Sequence, residues 1–307
     1  MKAEGAAVER VEYKGWKNCW RLSDGTVDLV VTTDIGPRII RFGFVGGENM
    51  FHEAPGEVGT TGGSQWISYG GHRLWHAPEA SPRTYAPDNS PVSAEKRGQW
   101  LVVSCPREES TGIRKELHVR LAEAPSGEGK VEVLHVLHNE NPWAVQFAPW
   151  AISVMTAGGT AILPLPPRGT HADNLLPTSS LATWAYTDMS DPRWSWMEKH
   201  ILLRQDVNAK GPQKIGVMSP AGWLAYAVNG NIFAEKAAFV KGAVYPDMGC
   251  NIECFTNPSM LELETLGPLA YVESSAAVEH REEWYLVKGI KPPSSDAEIQ
   301  KTFLSKL

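Results

Sequence analysis

The segment 69–79 reads Tyr-Gly-Gly-His-Arg-Leu-Trp-His-Ala-Pro-Glu and gathers two imidazoles, a guanidinium, an indole and a carboxylate. Gly70 and Gly71 allow backbone conformations closed to other residues, and Pro78 ends any strand. On an extended backbone His72, Leu74 and His76 point one way, Arg73 and Trp75 the other. Burying such groups is costly unless they face a polar cavity, so the segment is a candidate ligand-facing wall. It is also compatible with a strand end carrying an Arg–Glu ion pair and stacked rings. Two histidines four residues apart suggest zinc only on a helix, which Gly-Gly and Pro argue against. No metal is expected.

The segment 260–268, Met-Leu-Glu-Leu-Glu-Thr-Leu-Gly-Pro, alternates with the period of a strand. Leu261, Leu263 and Thr265 share one face; Glu262 and Glu264 share the other, about 7 Å apart. Paired carboxylates suit general acid–base chemistry, because repulsion or desolvation drives one pKa above the other. A solvated strand face carries the same pattern. A third segment, 245–253, holds a Pro246/Gly249 turn in which Asp247 and Asn251 could bond hydroxyl groups. The chain lacks a Gly-x-Ser-x-Gly nucleophile elbow, a phosphate-cradling Gly-x-x-x-x-Gly-Lys loop and a Gly-x-Gly-x-x-Gly dinucleotide fingerprint.

The elements that must position these residues are strands. Ile113, Lys115, Leu117, Val119 and Leu121 alternate with Arg114, Glu116, His118 and Arg120. After the turn-rich stretch 124–129, the run 130–137 completes a long antiparallel hairpin. Further strands are expected at 15–22, 27–31, 35–44, 100–105, 145–155, 160–163, 214–218, 223–228, 232–238, 251–255, 260–265 and 276–287. A single helix is expected over 295–307, where Ser295 and Glu298 form a capping box and Ile299 and Phe303 an apolar stripe. Two long stretches, 53–70 and 165–198, interrupt the strands. The second carries Trp184, Tyr186, Trp194 and Trp196 and reads as an ordered wall beside a cleft. No linker or repeat divides residues 1–307, so one domain is expected.

Composition narrows the function. Of 307 residues 42% are hydrophobic and 21% charged, with a net charge of −6 and scattered cations. No basic stripe invites nucleic acid, and no run of about 18 apolar residues invites a membrane. Cys19, Cys105, Cys250 and Cys254 form neither a disulfide framework nor a metal-type double pair, which points to reduced thiols and a cytoplasmic location. The twelve tryptophans exceed ordinary usage. Most serve core packing, and a carbohydrate cleft would account for others, since indole stacks on apolar sugar faces.

From about Val27 to Leu286 the order of segments resembles the galactose-mutarotase-like superfamily of aldose 1-epimerase-like proteins, in particular one of its bacterial branches. The resemblance rests on Thr33-Asp-Ile-Gly-Pro-Arg-Ile-Ile40, on segment 69–79, on His138-Asn-Glu-Asn-Pro-Trp143, on Leu263-Glu-Thr265 and on the C-terminal strand ending near Leu286. It implies an all-β supersandwich of two large, mostly antiparallel sheets with a short C-terminal helix. It further implies a glutamate that takes the proton of an anomeric hydroxyl and a histidine that protonates the ring oxygen. Glu264 matches the glutamate. Where the family has its histidine this chain reads Phe147-Ala-Pro-Trp-Ala-Ile152, which leaves His72, or His76, to serve as acid from a neighbouring strand.

The resulting expectation is an aldose 1-epimerase-like enzyme without cofactor, with Glu264 as base and His72 as acid. Arg73, Trp75, His76, Asp247, Glu262 and Trp194 would hold the sugar. A non-catalytic sugar-binding protein and a lyase or hydrolase of oligosaccharides are the alternatives. Oligomeric state is not legible.

Overall fold

The computed structural model describes residues 6–302 and 304. Their strands form two antiparallel sheets. The first runs β1 (Ala7–Tyr13), β2 (Trp16–Ser23), β3 (Val27–Thr32), β4 (Arg38–Phe44), β5 (Gly71–Ala77), β10 (Val145–Met155), β19 (Leu261–Leu266), β18 (Ile252–Thr256), β15 (Gln213–Val217) and β12 (Leu181–Thr183), with β20 (Ala270–Val272) added beside β10. The second runs β13 (Trp194–Trp196), β14 (His200–Arg204), β11 (Thr160–Pro164), β16 (Trp223–Val228), β17 (Asn231–Ala237), β21 (Ala277–Lys288), β9 (Gly129–Asn139), β8 (Ile113–Ala122), β7 (Trp100–Ser104) and β6 (Ser93–Arg97).

The sheets stack on one apolar core, to which Leu29, Phe42, Leu263 and Ile252 contribute from the first sheet and Phe233, Leu224 and Trp284 from the second. Alternation is what allows this. In β8 every second residue from Ile113 to Val119 is buried and those between are half-exposed. The expected strands are therefore present, with small shifts of their ends. The polar edge strands β1 and β6, and the short β12, β13, β14 and β20, carry too little periodicity to stand out in the sequence. The stretch 165–198, expected to be irregular, contributes β12 and β13, one to each sheet.

Gly70 and Gly71 open β5 with φ of +86° and +72°. A Cβ at Gly70 would meet the His52 carbonyl oxygen at 2.0 Å, and one at Gly71 the Ile39 oxygen at 2.4 Å. Only glycine brings this strand so close to its neighbours. The C-terminal helix, Asp296–Thr302, shows half of the expected capping box: Ser295 Oγ accepts from the Glu298 N–H, while the Glu298 carboxylate accepts from the N–H of Ser294 instead of Ser295. Ile299 is buried, while Phe303 lies outside the described residues. All four cysteines are free thiols, three of them buried. No helix among the described residues is long and apolar enough to cross a membrane.

Candidate functional site

Strand register decides which predicted residues meet. Ile152 of β10 pairs with Arg73 on one side and Glu264 on the other, and Glu264 pairs with Glu253 of β18. Residues directly opposite in a ladder project to the same face. Arg73, Glu264 and Glu253 therefore share one face with Trp75, Trp150, Glu262 and Lys214. That face is turned away from the second sheet and is roofed by loops. Leu261, Leu263, Cys254 and Ile215, one residue out of phase, point into the core between the sheets.

His72 is likewise one residue out of phase with Arg73 and lies in the interior. Its Nε2 is 2.7 Å from His135 Nε2, its Nδ1 is 2.9 Å from Ser153 Oγ, and its ring packs on Trp284. The expected acid is thus on the opposite side of the sheet from Glu264. His76 follows it inward, its ring tilted against Phe147 and its Nε2 3.8 Å from Glu108. Trp194 sits in the second sheet, largely buried in the main core, with its indole N–H donating to the Asp188 oxygen. The pleat of a single strand separates two faces, but only pairing with neighbours shows which face another strand's residues share.

The residues that do meet form a layered site. Glu264 is fully buried, and its Oε2 accepts hydrogen bonds from Trp150 Nε1 and Lys214 Nζ, each at 2.8 Å. Glu264 Oε1 is buried without a partner. Lys214 Nζ also lies 2.9 Å from Glu253 and sits over two indoles, 4.8 Å from the Trp150 ring and 4.7 Å from that of Trp184. Above this floor opens a cleft of about 380 Å³ lined by Glu79, Ala80, Ser81, Tyr85, Trp150, Trp184, Lys214 and Asp247. Beside it Arg73 donates to Glu262 at 2.8 Å, stacks over Trp75 and keeps Nε and Nη1 unpaired. Trp66, Trp75, Tyr85 and Trp150 interlock edge to face at 5.1–5.6 Å, giving the wall its rigidity.

Electrostatics follow from burial. Desolvation alone would lower the Lys214 pKa, but the Glu264 and Glu253 carboxylates reverse this and hold the ammonium well above its ordinary range. Burial raises Glu264, against the pull of Lys214, and raises Glu253 further. Asp247, expected to touch ligand, lines the cleft and occupies the left-handed region with φ of +50°, as does Met248 beside it at +63°. Backbone strain of this kind gathers at ligand-binding rims. Asn251, its companion in the sequence, is instead tied to the main chain of Ser219.

Sequence reasoning missed Lys214, Trp150, Tyr85 and Glu253. Lys214 carried a signal: it is a lone cation in the otherwise uncharged strand Gln-Lys-Ile-Gly-Val. Trp184 stood in the stretch read as a wall, where Trp194 was singled out instead.

The described residues hold one group with metal-binding potential: His72, His135 and Glu282, whose ligand atoms lie within 4.8 Å of one another. The two nitrogens are 2.7 Å apart while the ring centroids are 5.0 Å apart, so the nitrogens face each other head to head. That is a hydrogen bond's geometry, whereas a shared ion requires both lone pairs to converge on a third point. A cavity of about 960 Å³ lies among turns around Asp24, Gln99 and Pro125, and none of the candidate site residues lines it.

No family model and no curated protein matches this chain. Solved structures do. A proposed aldose 1-epimerase from Klebsiella pneumoniae superposes with a TM-score of 0.59 at 10% identity, over 97% of this chain and 87% of that one. A galactose mutarotase-like protein from Lactobacillus casei gives 0.52 at 7%, over 92% and 100%. The fold is galactose-mutarotase-like. A TPR-domain containing protein from Parabacteroides distasonis also superposes, with a TM-score of 0.56 at 12% identity over 91% of this chain. This chain spans about half of that protein, 49% of its length. In the segment where the resemblance would place a histidine, this chain presents Trp150, hydrogen-bonded to Glu264.

Proposed function

We propose that the protein binds a sugar in the cleft between Trp150 and Trp184 and exchanges its anomers, as an aldose 1-epimerase-like enzyme. The observation that carries this reading is the charged donor on the cleft floor: Lys214, flanked by two indoles and backed by the Glu264 carboxylate. Indole faces suit the apolar faces of a pyranose, and Glu79, Tyr85 and Asp247 offer polar groups to its hydroxyls. Glu264, with one oxygen still unpartnered, is the base for the anomeric hydroxyl. Arg73, Trp75 and Glu262 brace the floor.

Two outcomes are expected. Trp184→Ala, at a half-buried loop position, weakens sugar binding roughly tenfold, about 1.4 kcal/mol, and leaves thermal stability unchanged. Titration calorimetry against a panel of free aldoses checks it. Glu264→Gln keeps the shape of the floor and lowers anomer exchange by roughly 100-fold or more, followed by exchange NMR. An exchange rate unaffected by that change would remove Glu264 from the chemistry.

A second reading, sugar binding without turnover, is favoured by one observation. Glu264 is completely covered by its surroundings, Trp150 and Lys214 among them, so no oxygen of the base faces the cleft before a ligand enters. Saturable binding accompanied only by buffer-rate exchange is its signature.

A further inference from the structure

His72 is across the sheet and no histidine lines the cleft, so the ring oxygen needs another proton donor. Resting on the sugar-exchange reading, we propose that Lys214 is this acid, and that it works as one unit with Glu264.

The geometry supplies each part. An ammonium has three N–H bonds. One of those on Lys214 is given to Glu264 at 2.8 Å, Nζ is ion-paired with Glu253 at 2.9 Å, and an N–H is left for the cleft that Lys214 lines. O1 and the ring oxygen of a sugar are attached to the same carbon. An acid and a base acting on them must therefore be neighbours, as Lys214 Nζ and the Glu264 carboxylate are.

The steps balance. Glu264 Oε1 removes the hydrogen of the anomeric O1–H, the O1 electrons form the C1=O1 double bond, and the C1–ring-oxygen bond breaks. Lys214 gives a proton to the departing ring oxygen, which becomes a hydroxyl. Glu264 is then neutral and protonated, and Lys214 is a neutral amine. Rotation about C1–C2 turns the other face of the carbonyl to that hydroxyl; in the reverse sequence Lys214 takes back the hydroxyl proton, the ring oxygen bonds C1, and Glu264 returns its proton to O1, closing the ring as the other anomer and restoring ammonium and carboxylate with no net uptake or release of protons.

The pairing also resolves a difficulty with lysine as an acid. Beside Glu264 and Glu253 the ammonium holds its proton tightly. When Glu264 takes up the O1 proton, that carboxylate's negative charge disappears and the proton on Lys214 is released more readily. Acid and base are activated by the same event, which is why a cation with so high a resting pKa serves here.

The test uses the intact protein and anomer exchange followed by NMR. For the wild type, a lysine acid predicts a rate that stays level from neutral pH to roughly pH 9, whereas a histidine acid would lose activity above about pH 7. A decline over that range overturns the proposal. Lys214→Arg keeps a cation between the carboxylates, but arginine does not give up its proton. This variant is expected to bind sugar by calorimetry within a few-fold of wild type and to exchange anomers at least roughly 100-fold more slowly. Wild-type exchange by a folded, sugar-binding Lys214→Arg protein overturns the role of Lys214 and leaves the sugar-exchange reading standing. Sugar binding with only buffer-rate exchange by the wild type overturns both.

Discussion

Replacing Lys214 with methionine is expected to destabilise the protein by about 3–5 kcal/mol, a fall in Tm on the order of 10 °C. The change keeps the apolar stem between Trp150 and Trp184 and removes only the charge. Two fully buried carboxylates, Glu253 and Glu264, then face each other across β18 and β19 with their shared cation gone. The loss depends on pH. Without Lys214 both glutamates rise further above their unfolded value, so the folded chain binds more protons than the unfolded one. Stability is then retained near the unfolded carboxylate pKa of about 4.3 and is lost as pH rises through the folded values. Denaturant unfolding at about pH 5 and 8 should show a small deficit at the first and a large one at the second. Adding Glu253→Gln and Glu264→Gln should restore most of it. A deficit independent of pH would mean that lost packing, not the stranded charge, is responsible.

The second large effect concerns the buried network between the sheets. His135 Nδ1 faces the main-chain oxygen of His280 at 3.1 Å, so that nitrogen carries the hydrogen. Neutral His135 then offers a lone pair at Nε2, and His72 Nε2 must donate across their 2.7 Å contact. His72 Nδ1 is left to accept from Ser153 Oγ at 2.9 Å, yet Ser153 also lies 2.7 Å from Glu235 Oε2. One hydroxyl hydrogen cannot serve both contacts. Glu235 supplies the second, being protonated. Burial, reinforced by the nearby Glu282 carboxylate, holds Glu235 well above the ordinary range, in agreement with this count.

Glu235→Gln provides an N–H donor of the same shape and is expected to be tolerated. Glu235→Ala opens a cavity, leaves the chain of hydrogen bonds incomplete and costs about 2–4 kcal/mol. The contribution of Glu235 is complete below its unfolded pKa of about 4.3 and fades as pH rises toward the folded value. Glu282, raised by burial to about 7, acts in the same sense. The histidines act oppositely: burial lowers His135 to about 3 and His280 to about 4. Their contribution is therefore complete above about pH 6.5 and lost on acidification. Unfolding of wild type and Glu235→Gln from roughly pH 5 to 9 should show the glutamine gaining with pH, by up to about 1.4 kcal/mol per unit. A constant difference would show that Glu235 is already ionised.

The sequence announces the sandwich because half-buried strands leave a period of two, as along 113–121, and because the capping box fixes the last helix. It also separates Arg73 and Trp75 from His72 and His76, and sets Glu262 with Glu264. Linking those faces required register, since Ile152 joins Arg73 to Glu264 through a strand whose own sequence does not say which strands flank it. Placing His72 beside Glu264 failed for that reason. Lys214 was hidden differently: a lysine in a strand reads as a solvated position until its two carboxylate partners, 39 and 50 residues further on, are folded against it.

The most direct measurement of the central claim is a crystal structure of the protein soaked with mixed monosaccharides. A pyranose should lie in the cleft over Lys214, beside Trp150 and Trp184, with its ring oxygen within hydrogen-bond distance of Lys214 Nζ and its anomeric hydroxyl at Glu264. A sugar bound elsewhere, or one in this cleft with C1 turned to solvent and away from Lys214, would rule out exchange by Lys214 and Glu264.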